Sequence, residues 1–227
     1  MGLSKINYKK ITEFNREDAI ELQRLLNNCG YGLDVDGIIG PLTIKAFNDF
    51  KVKHSLSEPD IFGSTTYVYL RKYDNDLSPA LDLIKKFEGL VLNAYVCPAN
   101  VWTVGWGTTV YPNGVRVKKG DKVTKARADE LLEWYVKDRI IYKLSNTIPF
   151  WQEMSNLQRC ALISFAYNVG EGFYGLKGYA TITKALRNKD WLSVPNAMML
   201  YVNPGTSAEQ GLRRRRNEEC TMWRNGM

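Results

Sequence analysis

Glu88, Cys97 and Thr103 are the residues of this chain whose types and spacing could do chemistry. They fall as Glu-x8-Cys-x5-Thr inside Phe87-Glu88-Gly89-Leu90, Tyr95-Val96-Cys97 and Trp102-Thr103-Val104-Gly105-Trp106-Gly107. A carboxyl that can give up a proton, with a second group that positions and deprotonates water, is the equipment for acid–base hydrolysis. The thiol is the unusual member. Its reference pKa of about 8.5 leaves it mostly neutral at pH 7 unless neighbours lower it. Cys97 can therefore act as a partial thiolate base, as a nucleophile, or as a polar placeholder beside a dominant Glu88, or it can mark a site that has lost its activity.

The surrounding sequence specifies the elements that must hold these groups. Ser78-Pro79 is a helix start, with an N-cap hydroxyl and proline in the first turn. Leu81, Ile84 and Glu88 share one face, so Glu88 extends an apolar stripe, and partial desolvation there favours the neutral carboxyl. Gly89 ends the helix. Val91–Val96 reads as a strand, Pro98-Ala99-Asn100 as a turn and Val101–Val104 as a second strand, while Gly105-Trp106-Gly107 lets backbone approach closely. Tyr111-Pro112-Asn113-Gly114-Val115 is a further hairpin turn. A long helix is predicted from Thr124 toward Leu144. A nearly all-round apolar helix, Met154 to Val169, should form the core and end at Gly170. Shorter helices are predicted near Thr181–Leu186 and Ser193–Tyr201.

Composition excludes several other chemistries. Apolar residues make up 44% of the 227 residues, so a packed core is expected. No apolar run approaches the roughly 18 residues of a membrane span, and the N-terminus lacks the pattern of a signal peptide. Cys29, Cys97, Cys160 and Cys220 are widely spaced, which argues against a zinc site and a disulfide framework. His54 is the single histidine, which disfavours zinc hydrolases and histidine-dependent serine or cysteine hydrolases. No metal or cofactor is expected. Residues 1–76 carry a balance of −1 and residues 77–227 one of +8. The basic half suggests an acidic polymer partner. The run Arg213-Arg214-Arg215-Arg216-Asn217-Glu218-Glu219 taken alone suggests nucleic acid. Its i, i+4 pairs Arg214–Glu218 and Arg215–Glu219 make it instead a self-paired helical face, with no stacking-aromatic pattern for a nucleic-acid site.

The first half reads as three helices, Glu17–Gly30, Pro41–His54 and one ending near Arg71, around the loop Leu33–Thr43. Leu22-Gln23-x-x-Leu26-x-x-x-Gly30-Tyr31, then Asp36-Gly37-Ile38-Ile39-Gly40-x-x-Thr43 and Ala46-Phe47-x-x-Phe50, resembles the three-helix peptidoglycan-binding domain of wall hydrolases. Lys51 stands where most members carry Gln. The resemblance implies a peptidoglycan-binding domain over 1–73 (core 15–72), with Tyr31 and Asp34 as candidate binding side chains and 74–77 as a short polar linker.

In the second half, Phe-Glu-Gly-Leu, Tyr-x-Cys, Trp-Thr-Val-Gly-Trp-Gly and Ser164-Phe165-Ala166-Tyr167-Asn168-Val169-Gly170 resemble the phage-type lysozymes, glycoside hydrolase family 24. The family's triad is Glu, Asp and Thr at this spacing. Here Cys97 takes the Asp position, and Thr108 stands where many members have His. The resemblance implies an α+β, mainly helical chain whose lysozyme-like domain, 78–227, has a small hairpin lobe and a helical lobe. It implies Glu88, Cys97 and Thr103 as catalytic residues, with Tyr167 and Asn168 as further candidates at the cleft. The implied reaction is hydrolysis of the β-1,4 bond between N-acetylmuramic acid and N-acetylglucosamine in bacterial peptidoglycan. The expected protein is a monomeric endolysin without stable membrane insertion, made in the host cytoplasm and released to the wall through holes made by a holin. The rivals are a lytic transglycosylase, a non-catalytic wall-binding protein, and a wall peptidase or amidase.

Overall fold

A computed structural model describes residues 2–29, 31–72, 76–97 and 99–227. The chain forms two compact units, Met1–Asp76 with Met154–Asn156, and Leu77–Glu153 with Leu157–Met227. It is mainly helical with small two-stranded sheets. The helix end expected at Gly30, the domain end Tyr73 with the first linker residues Asp74 and Asn75, and the turn residue Pro98 lie outside the described residues.

In the first unit α1 spans Arg16–Asn28, α2 Pro41–Lys53 and α3 Ser64–Lys72, while β1 (Tyr8–Lys10) pairs antiparallel with β2 (Ile61–Gly63). Asn15 caps α1 by accepting from the Asp18 N–H at 2.9 Å. Leu22, Leu26, Phe47, Phe50 and Phe62 close the core. Two buried polar side chains tie down the loops that follow α1 and α2. Gln23 donates to Asp36 Oδ1 at 2.8 Å and to the Ile38 carbonyl, and accepts from the Gly37 N–H. Lys51 does the equivalent work one helix later, donating to the carbonyls of Glu58 and Ile61. Lys51 is thus a buried donor at the loop. Burial lowers its pKa.

The second unit begins with α4, Ser78–Glu88. Leu77 takes the cap position, so Ser78 and Pro79 both lie in the first turn, one residue earlier than the sequence predicts. Ala80, Leu83 and Ile84 bury one face. The helix stops at Gly89, whose φ of 69° a side chain would strain. β3 (Val91–Val96) then pairs antiparallel with β4 (Trp102–Gly105), in the register Val91 to Gly105, Tyr95 to Thr103 and Val96 to Trp102.

The long helix is interrupted. α5 runs Lys125–Tyr135, capped by the Thr124 hydroxyl accepting from the Arg127 N–H. Val136–Ile141 then forms a π-helical segment before α6, Tyr142–Thr147. α7, Asn156–Val169, is buried on almost every side and closes at Gly170, φ 100°, whose N–H returns to Ala166 at 2.8 Å. α8 (Ala180–Arg187), α9 (Val194–Met198) and α10 (Glu209–Asn225) complete the unit.

Candidate active site

Glu88 is delivered by the last turn of α4, next to the glycine that lets the chain turn into β3. Its side chain is a quarter exposed, and Oε1 accepts from Arg215 Nη1 at 2.6 Å. Arg215 comes from α10 and is buried. Its Nε donates to Glu219 at 3.2 Å and its Nη2 to the Ser164 carbonyl at 3.1 Å, and the guanidinium lies 5.8 Å from the Phe87 ring centre. Glu219 is fully buried and also accepts from Ser164 Oγ at 2.8 Å and from Arg216. Arg216 in turn donates to Asn168 and to the Tyr201 carbonyl. The four charges, two acids and two arginines, cancel within one connected network. Such a network holds only while each member is paired, because losing one partner strands a charge away from water.

The charge run therefore has two different halves. Arg215 and Arg216 are core residues with fixed partners, while Arg213 and Arg214 face solvent. Arg215–Glu219 pairs as its spacing predicts. Glu218, expected to meet Arg214, is held by Lys86 at 2.6 Å instead. Sequence spacing reads pairs within one helix and is blind to a lysine arriving from α4. For the same reason it does not reveal Arg215 as the partner of Glu88.

Glu88 borders two hollows. One, of about 370 Å³, is lined also by Gly107, Thr108, Trp134, Tyr135, Arg139 and Tyr167, with Thr109 and Val110. The other, of about 480 Å³, includes Lys86, Phe87, Asn168, Arg214 and Glu218. Tyr167 and Asn168 are thus both brought to the surroundings of Glu88. Each already has a polar atom engaged within the protein: Tyr167 donates its hydroxyl to the Trp106 carbonyl at 2.9 Å, and Asn168 Oδ1 accepts from Arg216. Burial, and then the charge of Glu88, hold the Tyr167 phenol far above its usual pKa. Gly107 is the close approach: a Cβ there would sit 3.1 Å from the Tyr167 hydroxyl, at a φ of 117°.

Cys97 and Thr103 meet each other at the far end of the β3–β4 hairpin. The Cys97 N–H donates to the Val101 carbonyl at 3.0 Å, and its carbonyl accepts from Asn100, which takes a φ of 59° to close the turn. Thr103 is buried and its hydroxyl donates to the Val101 carbonyl at 3.0 Å. The Cys97 thiol is held below its usual pKa, first by the Val101 N–H and then by the Thr103 hydroxyl and the Ala99 N–H. That hydroxyl has one hydrogen, so bonding to Val101 and to sulfur are alternatives, and a thiolate would draw it over. Neither Cys97 nor Thr103 lines the hollow that contains Glu88 and Tyr167. Trp106 is anchored separately, its Nε1 donating to Asp129 at 2.8 Å; Lys85 and Lys125 bind the same carboxylate and hold its pKa down at about 2.

Tyr31 and Asp34 belong to the first unit. Tyr31 is half-buried against its helical core, and burial raises its pKa; Asp34 is exposed. No helix among the described residues is long and apolar enough to cross a membrane.

A family model described as phage lysozyme matches residues 85–219, a span that begins three residues before Glu88 and ends at Glu219. The chain is 30% identical over 154 residues to a SAR-endolysin of Haemophilus phage HP1, covering 64% of this chain and 79% of that one. Among solved structures it resembles an endolysin from Escherichia coli O157:H7 phage FAHEc1 (26% identity, TM-score 0.54, 66% of this chain and 92% of the other). It also shares the fold of the active form of the P1 phage endolysin Lyz (24% identity, TM-score 0.55, 71% and 92%).

Proposed function

The chain belongs to the phage lysozyme family, and from that premise we propose that this cell-wall-lytic enzyme is a muramidase of glycoside hydrolase family 24. It would hydrolyse the β-1,4 bond between N-acetylmuramic acid and N-acetylglucosamine. The observation that carries the reading is Glu88: a partly exposed carboxyl at the wall of a 370 Å³ hollow, one oxygen fixed by a buried arginine. With Oε1 committed to Arg215, Oε2 is the atom left to meet a glycosidic oxygen. Glu88 acts as the general acid. Cys97, its thiol eased toward ionisation by the Val101 N–H and the Thr103 hydroxyl, helps to position or deprotonate the attacking water.

The first unit serves as a peptidoglycan-binding domain, holding the enzyme on its substrate through exposed groups such as Asp34. The enzyme works as a monomeric endolysin that reaches the wall after release from the host cytoplasm through holin-made holes. Its similarity to a SAR-endolysin supports the lysis role in this reading.

Product analysis of digested peptidoglycan tests the reaction. Reducing-end muramic acid carrying oxygen from solvent water is expected, and Glu88→Gln should abolish its release. Anhydro-muramic ends would make the enzyme a lytic transglycosylase, and lysis that survives Glu88→Gln would remove Glu88 from the chemistry.

A further inference from the structure

One wall of the hollow beside Glu88 is built around an irregular turn. In an unbroken α-helix Trp134 and Arg139, five residues apart, would point about 140° away from each other. Both nevertheless line this one hollow. The π segment Val136–Ile141 starts directly after Tyr135, and its wider i to i+5 turn narrows that angle. Such insertions are frequent at functional sites.

The wall they make is graded. Tyr167, Tyr135 and Trp134 form a row of rings, Tyr135 lying edge-on to Tyr167 at 5.6 Å and to Trp134 at 6.3 Å. Tyr167 is locked by its bond to the Trp106 carbonyl, so the row has a rigid end at Glu88. Arg139 lines the same hollow. Glu88 and Arg139 are the two charged side chains lining the hollow among the described residues, and Glu88 is already engaged by Arg215. Arg139 keeps a side chain that is 59% exposed, and its carboxylate neighbour Glu171 stands 4.0 Å away, the outer limit of an ion pair. Glu171 is shared: its other oxygen, Oε2, accepts from the Tyr135 hydroxyl at 3.1 Å. A guanidinium offers five N–H donors in a fixed fork suited to carboxylates, and aromatic faces suit the flat apolar side of a sugar ring.

We propose that Trp134 and Arg139 form a recognition subsite for a carboxylate-bearing sugar unit of the wall glycan, Trp134 packing on the ring and Arg139 receiving the carboxylate. The identity of the polymer rests on the muramidase reading; the preference for a carboxylate beside a ring does not. Two groups in that polymer carry the required chemistry, the lactyl carboxylate of the muramic acid and the carboxylates of its stem peptide.

The test uses the full chain carrying Glu88→Gln to prevent turnover, with and without Arg139→Gln, Arg139→Lys or Trp134→Leu. Dissociation constants are measured by titration with three glycans of equal length: an N-acetylglucosamine oligomer without carboxylates, the alternating wall glycan stripped of peptide, and the same glycan with its peptides. Arg139→Gln is expected to remove about tenfold of the preference for a carboxylate-bearing glycan over the plain oligomer, the worth of one charge-assisted hydrogen bond. Arg139→Lys should restore part of it, and Trp134→Leu should weaken all three ligands alike. If the loss appears with the stripped glycan, the lactyl group is the source; if only with the peptide-bearing glycan, the stem peptide is. An unchanged preference in Arg139→Gln overturns the proposal. The muramidase reading fails by a separate sign, the absence of new reducing ends when the chain with intact Glu88 meets the same glycans.

Discussion

Arg215 Nη1 lies 2.6 Å from Glu88 Oε1, joining the end of α4 to the middle of α10 and placing a buried cation directly behind the proposed acid. The same guanidinium holds Glu219 and the Ser164 carbonyl, so one side chain both orients Glu88 and helps to hold α7 against α10.

Replacing Arg215 should therefore damage stability and activity together. Arg215→Met leaves fully buried Glu219 with Arg216 as its remaining cation and frees Glu88. We expect a loss of about 3 kcal/mol in chemical denaturation, the usual cost of breaking a buried pair. Arg215→Lys keeps the charge but not the fork that reaches three acceptors, and should recover less than half of that loss. A denaturation midpoint unchanged in Arg215→Met would show that the network contributes nothing to the fold.

Gly107 tests the wall of the hollow. At its φ of 117°, a Cβ would sit 3.1 Å from the Tyr167 hydroxyl, so alanine fits only if that hydroxyl gives way by a few tenths of an ångström. Gly107→Ala should cost about 1–3 kcal/mol through backbone strain and displace the Tyr167–Trp106 bond. Wall lysis should fall more steeply than stability, because the displaced ring lines the hollow with Glu88. A Tyr167→Phe variant separates the two effects: it removes the hydroxyl bond without straining the backbone, and should retain more activity than Gly107→Ala.

Much of this arrangement is legible in the sequence. The glycine after Glu88, the strand, turn and strand, and the apolar helix ending at Gly170 all follow from local signals that survive in the fold. Trp102–Gly105 and Val91–Val96 pair antiparallel, as two strands joined by a short turn are expected to. What local pattern does not carry is anything joining distant segments. Spacing makes Arg215 an i, i+4 partner of Glu219 and says nothing of Glu88, 127 residues away. The π segment is equally hidden, since Ala128, Leu131, Leu132 and Ile140 fit one continuous helix on paper. On such a helix Trp134 and Arg139 fall on separate faces. The apolar stripe ending in Glu88 is real as far as Ile84, yet at its last position the neighbour is a guanidinium, which no periodicity announces.

Asp129 should give the protein an acid-sensitive step. Lys85, Trp106 and Lys125 bind its carboxylate and lower its pKa to about 2 from 3.8. A depressed carboxylate contributes stability that is complete above its unfolded pKa and is lost as pH falls through the folded value. The window is thus about pH 4 down to pH 2. With the side chain 30% exposed, solvent screening reduces the contribution to on the order of 1 kcal/mol. Asp129→Asn should flatten that part of the stability–pH curve while leaving the curve above pH 5 parallel to wild type. An identical acid slope in both proteins would show that Asp129 titrates normally.

Cys97 is the position at which pH reports on mechanism. Its thiol is held below the usual cysteine pKa by the Val101 N–H, the Thr103 hydroxyl and the Ala99 N–H, so a thiolate forms at lower pH than for a free cysteine. If that thiolate assists the water, kcat/KM should rise with pH through an ionisation below the ordinary thiol range. Thr103→Val removes the hydroxyl donor and should shift this rising limb to higher pH without abolishing it. Cys97→Asp should move the limb down into the carboxylate range, near pH 4, leaving activity flat across neutral pH, whereas Cys97→Ala should remove the limb and lower the rate by about 100-fold, the scale of one general base. Full activity and an unaltered pH profile in Cys97→Ala would instead make the thiol a placeholder and leave Glu88 as the group that carries the rate.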